Sequence, residues 1–168
     1  MSKSEIKELI MKRLSIITFL LFVGVAAGSE TFAQRKAVSG AEVTGRFSFS
    51  NTNKKGIGIS NDILIQALGH NKLKIEMLLV YFYEAPLGVD FRDGWMSGEA
   101  VIEGDTAVFT YVPSETASDS CKITLKFSKP GTLIVTTEPP WRCGQPSGVL
   151  ADGTYKKTSG AKPKFSVN

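Results

Sequence analysis

The side chains that could do chemistry in this chain are few. They are two cysteines, Cys121 and Cys143, a single histidine, His70, and five carboxylates, Asp90, Asp93, Glu99, Glu103 and Asp105. A nucleophilic thiol needs a base or an electropositive pocket to hold it as thiolate. Arg142 adjoins Cys143, but His70 is far away in sequence and there is no CxxC. A Ser-His-Asp or Cys-His arrangement would have to use His70, and Gly69-His70-Asn71 has the composition of a turn tip. Two cysteines and one histidine cannot make a standard structural zinc site. No GxxxxGK[ST] or dinucleotide fingerprint is present, and Gly56-Ile57-Gly58 is too short to count as one. The five carboxylates could include a glycosidase pair or calcium ligands, but they lack the spacing of either motif and read as loop and edge carboxylates. No catalytic residue, metal ligand or cofactor is therefore assigned. An acid-dependent hydrolase of envelope material stays as the alternative to a binding protein.

The elements that must carry these residues are strands. In CKITLKFS, Cys121, Ile123, Leu125 and Phe127 point one way, and Lys122, Thr124, Lys126 and Ser128 the other. LKIEMLLVYFY begins with the same alternation and then becomes apolar on both sides at Leu78, Val80 and Phe82. That end of the strand must be covered on both faces or lie beside a loop or ligand. Turn residues at Gly69-His70-Asn71, Gly104-Asp105 and Lys129-Pro130-Gly131 separate runs of hairpin length. Eight strands are expected, at 42–50, 57–60, 62–68, 72–83, 95–103, 106–112, 121–128 and 132–138, and 154–157 is a candidate closing ninth. A hairpin turn at 69–71 pairs Ile65 with Ile75, Ile63 with Met77, and Gln66 with Lys74. Short connections make neighbouring strands antiparallel. The expected fold is all-β, a single up-and-down barrel of calycin type or a sandwich, of about eight strands. Closure removes exposed edges, which favours the barrel.

The same counting bears on the cysteines. With the turn at 129–131, Cys121 faces Pro139, and Cys143 lies four residues further on. Pro139-Pro140 and Gly144 let the chain bend between them. One disulfide, Cys121 to Cys143, is expected, in keeping with an exported chain.

Export is read from the N-terminus. Lys12 and Arg13 precede an apolar run from Ser15 to Gly28, followed by small residues to Ala33. This is the pattern of a secretory signal peptide, and the run is short for a membrane span. Residues 1–33 are expected to be a signal peptide, 34–157 the β domain, and 158–168 a flexible tail containing Pro163. The protein is expected to be secreted or periplasmic, with no membrane span once the signal is removed. The formal net charge is +4, and the lysines are scattered. A mild, dispersed charge does not suit nucleic-acid binding.

Aromatic residues mark the candidate binding region. EAPLGVDFRDG, residues 84–94, reads as a loop too long for a tight hairpin and too apolar for a plain solvated link. Phe91, Arg92 and Trp95, with Trp141 and Arg142 from the second long loop, are the expected recognition residues. The competing expectation is that Phe91 and Trp95 plug the end of the barrel.

Gly45-Arg46-Phe47, SGEAVIEGDTAVF at 97–109, CKITLKF at 121–127 and CGQPSGVLADGTYKK at 143–157 resemble segments of a widespread family of small exported bacterial all-β proteins with a Cys…CG…G-x-Y C-terminal pattern. The resemblance implies a single all-β domain with one disulfide, and similar segments accompany lysozyme-inhibitor-type domains. Gln145-Pro146 depart from it, because such proteins often carry an aromatic residue soon after CG. The function expected is that of an exported, non-enzymatic binding or envelope protein. Its partner would be a protein, a glycan or a small hydrophobic ligand.

Overall fold

The computed structural model describes residues 37–113, 120–138 and 143–166. The expected signal peptide, Trp141 and Arg142 lie outside the described residues. The described chain forms a short helix, α1 (Gly40–Val43), then strands β1 (Gly45–Thr52), β2 (Gly58–Gly69), β3 (Lys72–Ala85), β4 (Gly88–Glu103), β5 (Thr106–Tyr111), β6 (Cys121–Lys129), β7 (Thr132–Glu138) and β8 (Gly153–Ser159). Each strand pairs with the next, and β8 returns to β1, so the eight strands close an antiparallel up-and-down barrel. The sandwich is thereby set aside.

Inward positions alternate along every strand, and their side chains fill the interior. Phe47, Ile63, Ile65, Leu73, Ile75, Met77, Leu79, Phe109, Ile123, Leu125, Leu133, Val135 and Tyr155 are all buried. Each such apolar side chain contributes about 1.5–3 kcal/mol relative to exposure. An eight-stranded barrel is narrow enough for side chains alone to fill it. The closing seam needs a glycine. Gly45 has φ +143°, and a Cβ there would sit 2.0 Å from the Ser159 carbonyl oxygen of β8.

The β2–β3 register is the one expected, with Ile65 opposite Ile75, Ile63 opposite Met77 and Gln66 opposite Lys74. His70 and Asn71 both take positive φ, 49° and 60°, as a tight hairpin turn requires. Other boundaries differ. Residues 57–60 and 62–68 join into one strand because Asn61 points inward rather than breaking it. Its Nδ2 donates to the Leu150 carbonyl at 2.8 Å and to the Tyr155 hydroxyl at 3.1 Å, and its Oδ1 accepts from the Val80 N–H at 3.0 Å. Residues 40–43 are helical rather than the start of a strand. The Ser39 side chain caps them and Glu42 returns the bond, which completes a capping box. Val43 enters the core at that end of the barrel. β8 runs to Ser159, two residues into the segment expected as a tail, and the chain beyond it reaches back to β3. Ser166 donates from its N–H and its hydroxyl to the buried Glu76 carboxylate at 2.8 and 2.9 Å. The Phe165 ring lies 4.7 Å from Lys74 Nζ.

One outer-face ion pair sets a pH dependence. The Arg46 guanidinium donates from two nitrogens to Asp62, and Ser48 donates to the same carboxylate. Arg46 holds the Asp62 carboxyl below the usual carboxylate range, against the opposing effect of partial burial. The contribution is therefore present above the ordinary value of about 3.9 and is lost as pH falls through the lowered folded value. Acid denaturation followed by circular dichroism should show Asp62→Asn removing this part of the acid-side loss. An unchanged acid transition in Asp62→Asn would refute the assignment.

Candidate recognition site

The segment expected as a loop at 84–94 is a hairpin. β3 continues to Ala85 and β4 begins at Gly88, so only Pro86 and Leu87 form the turn. The ladder runs unbroken from Lys72–Val101 to Ala85–Gly88. β2 accompanies β3 only as far as Phe82, opposite Gly58. β5 accompanies β4 only at Val101–Glu103. The far part of the hairpin is thus a two-stranded arm extending past its flanking strands.

The two faces of this arm differ. Directly opposed residues share a face. Leu78 with Trp95, Val80 with Asp93, Phe82 with Phe91 and Glu84 with Val89 face outward. Tyr81 with Arg92 and Tyr83 with Asp90 continue the inward face of Leu79. The structure therefore separates the candidate residues. Phe91 and Trp95 lie on the outer face and Arg92 on the inner one.

The inner face is covered by the segment that starts at Cys143. Arg92 Nη1 donates to the Ser147 carbonyl at 3.1 Å, and the guanidinium lies 4.9 Å from the Tyr83 ring centre. Gly148, at φ +88°, sits against the Tyr81 ring, where a Cβ would come within 2.6 Å of it. Gln145 and Val149 pack over Gly94 of β4. The segment is fastened by the expected disulfide, Cys121–Cys143, with Cα atoms 5.1 Å apart. Thus Tyr81, Tyr83 and residues 145–149 fill this end of the barrel, and Phe91 and Trp95 are not its plug.

The outer face is open. Leu78 is 45% exposed, Trp95 39%, Phe91 56% and Val89 50%, and Leu87 at the turn is fully exposed. The Phe82 and Phe91 ring centres are 6.2 Å apart. Glu84 and Asp93 flank this apolar stripe on the same face. The sequence signal for the stripe was the loss of alternation at Leu78, Val80 and Phe82. Leu87 and Val89 registered only as the apolar content of a presumed loop, because Pro-Leu is an unusual hairpin turn.

The carboxylates are not gathered into a site. Asp90 and Asp93 lie on opposite faces of β4, and Glu99 pairs with Lys72 at 3.4 Å. Asp105 is in the turn at the other end of β4, roughly 50 Å along the chain from Asp90 at strand spacing. His70 stays at its turn. Two concavities lie at different kinds of surface, the barrel rim and the hairpin turn. One of about 80 Å³ lies beside Val38, Phe47 and Phe127, and one of about 350 Å³ lies at the exposed hairpin turn, Ala85–Asp90. No helix among the described residues is long and apolar enough to cross a membrane. Comparison with protein-family models, with curated proteins and with solved structures finds no match to this chain.

Proposed function

We propose that this chain is an exported, non-enzymatic protein that binds another protein through the outer face of the β3–β4 hairpin. The observation that carries the reading is the exposed stripe of Leu78, Phe91, Trp95, Val89 and Leu87 on a strand-paired arm. Exposed contiguous apolar surface rimmed by polar groups is typical of interaction sites, and aromatic anchors dominate their energetics. A filled interior favours a partner on the outside over a small hydrophobic ligand within the barrel. Glu84 and Asp93 beside the stripe suit a partner that presents basic groups next to apolar ones. Export rests on the Lys12-Arg13 head with its apolar run. The disulfide supports it, since such bonds persist in oxidising compartments. The resemblance to small exported bacterial all-β proteins accords with the same reading.

The experiment compares capture of envelope proteins by the immobilised wild type and by Phe91→Ala/Trp95→Ala. Loss of each anchor is expected to weaken capture by about 2 kcal/mol, some thirtyfold, with the melting temperature nearly unchanged. If Phe91→Ala instead costs the roughly 3–5 kcal/mol of a core aromatic truncation and capture persists, the ring is packing and the site lies elsewhere. Turnover of envelope material abolished by one Asp or Glu substitution would replace the binding reading with the hydrolase.

A further inference from the structure

The hairpin offers a backbone edge as well as an apolar face. The Ile102 N–H donates to the Asn71 carbonyl at 2.8 Å across the β3–β4 pair. Hydrogen-bonded and non-hydrogen-bonded pairs alternate along an antiparallel ladder. Even-numbered residues of β4 therefore bond to β3, and odd-numbered ones turn their N–H and C=O groups to the other edge. Near the Gly104-Asp105 turn that edge is taken by β5, with Val101 opposite Val108 and Glu103 opposite Thr106. Further out, at Val89, Phe91 and Asp93, no strand among the described residues pairs with it. The Phe91 N–H instead donates to the carboxylate of its own neighbour, Asp90, at 2.8 Å. An edge of this kind is a template for another strand.

We infer that this edge pairs with the same edge of a second copy of the chain, antiparallel and centred on Phe91. The inference rests on the hairpin being the recognition arm, and it names one protein that the arm engages. The register follows from charge. Centred on Phe91, Asp90 lies opposite Arg92 of the partner subunit, and Arg92 opposite Asp90 of the partner subunit, on one face. On the other face the two Phe91 rings meet, and Val89 lies opposite Asp93 of the partner subunit. Neighbouring centres do worse. Centring on Asp90, Arg92 or Asp93 places that charge against its own copy, and like charges directly opposed destabilise a sheet. One N–H of the Arg92 guanidinium is engaged by Ser147, and a guanidinium has five donors, enough to serve a partner's carboxylate as well. The pairing is two-fold symmetric, so each contact is made twice and the assembly closes as a dimer. It would also join the two outer stripes into one apolar surface.

The test is the mass of the exported protein in solution, measured by sedimentation equilibrium across a wide concentration range. The wild type is expected to dimerise. Asp90→Arg and Arg92→Asp each place like charges opposite one another twice, and each is expected to weaken the dimer about tenfold or more. The double exchange Asp90→Arg/Arg92→Asp restores opposite charges in the same register and should restore the dimer. Val89→Pro removes an edge N–H that the β3 ladder does not use. It should weaken the dimer while the barrel still melts cooperatively, so it decides the matter if a charge variant fails to fold. A wild type monomeric throughout, or a dimer indifferent to both Asp90→Arg and Val89→Pro, would overturn the inference. If the wild type is monomeric but Phe91→Ala/Trp95→Ala still abolishes capture of an envelope protein, the dimer alone is overturned and the recognition arm stands. Attachment of monomers to anionic vesicles through Phe91 and Trp95, with no dimer, would also overturn it.

Discussion

Replacing both Cys121 and Cys143 with alanine is expected to lower the stability of the barrel by about 3 kcal/mol. The bridge joins the start of β6 to the segment that covers the inner face of the hairpin, across 22 residues of sequence. Without it, residues 143–149 are held at that end by smaller contacts. These include the Arg92–Ser147 hydrogen bond and the packing of Gly148 and Val149. Urea denaturation of the two forms measures the difference. The double alanine variant should unfold at a lower midpoint and should expose Tyr81 earlier than the rest of the core. A loss below about 1 kcal/mol, well under the usual range for a native disulfide, would mean that packing alone fixes the segment.

Asn61→Leu should be at least as damaging, at about 3–4 kcal/mol, because a buried donor or acceptor left without a partner costs roughly 1–3 kcal/mol. Asn61 is buried and serves three groups at once, the Val80 N–H, the Leu150 carbonyl and the Tyr155 hydroxyl. Leucine fills much of the same space and satisfies none of them. Tyr155→Phe gives the contrast. It removes one hydroxyl, which donates to the Ala151 carbonyl at 2.7 Å, and about 1 kcal/mol is expected. Burial pushes the Tyr155 phenol above its ordinary pKa, so the hydroxyl remains a donor throughout the working range. Equal effects of Asn61→Leu and Tyr155→Phe in chemical denaturation would contradict this account of the network.

How much was legible depended on how far local pattern decided the outcome. CKITLKFS alternates cleanly, and Cys121, Ile123, Leu125 and Phe127 all face the core. Gly69-His70-Asn71 is strong turn chemistry, so the β2–β3 register and the barrel order followed from it. The disulfide followed from counting along the β6–β7 hairpin. Asn61 misled because a polar residue within an apolar run reads as a break. What satisfies it inside the barrel comes from β3, from β8 and from the segment before β8, distant in sequence. The arm at 84–94 misled for a related reason. Pro86-Leu87 carries no hairpin signature, and its strands are held by a long mutual ladder that no short window reveals. Whether Phe91 and Trp95 point into the barrel end or away from it was beyond the sequence. It turned on which parity of β3 faces inward, and on the segment from Cys143 filling the inner face instead.

The central claim is that the outer face of the β3–β4 hairpin is where this protein meets others. Site-specific photocrosslinking of the protein tests it most directly, with the photoreactive side chain at Phe91 or Trp95 and a control at Thr136, exposed on β7. Crosslinks to protein at positions 91 and 95, whether to a second copy or to a different partner, and none above background at 136, are the predicted result. Crosslinking at 136 equal to that at 91 and 95, or none at either hairpin position, would contradict it.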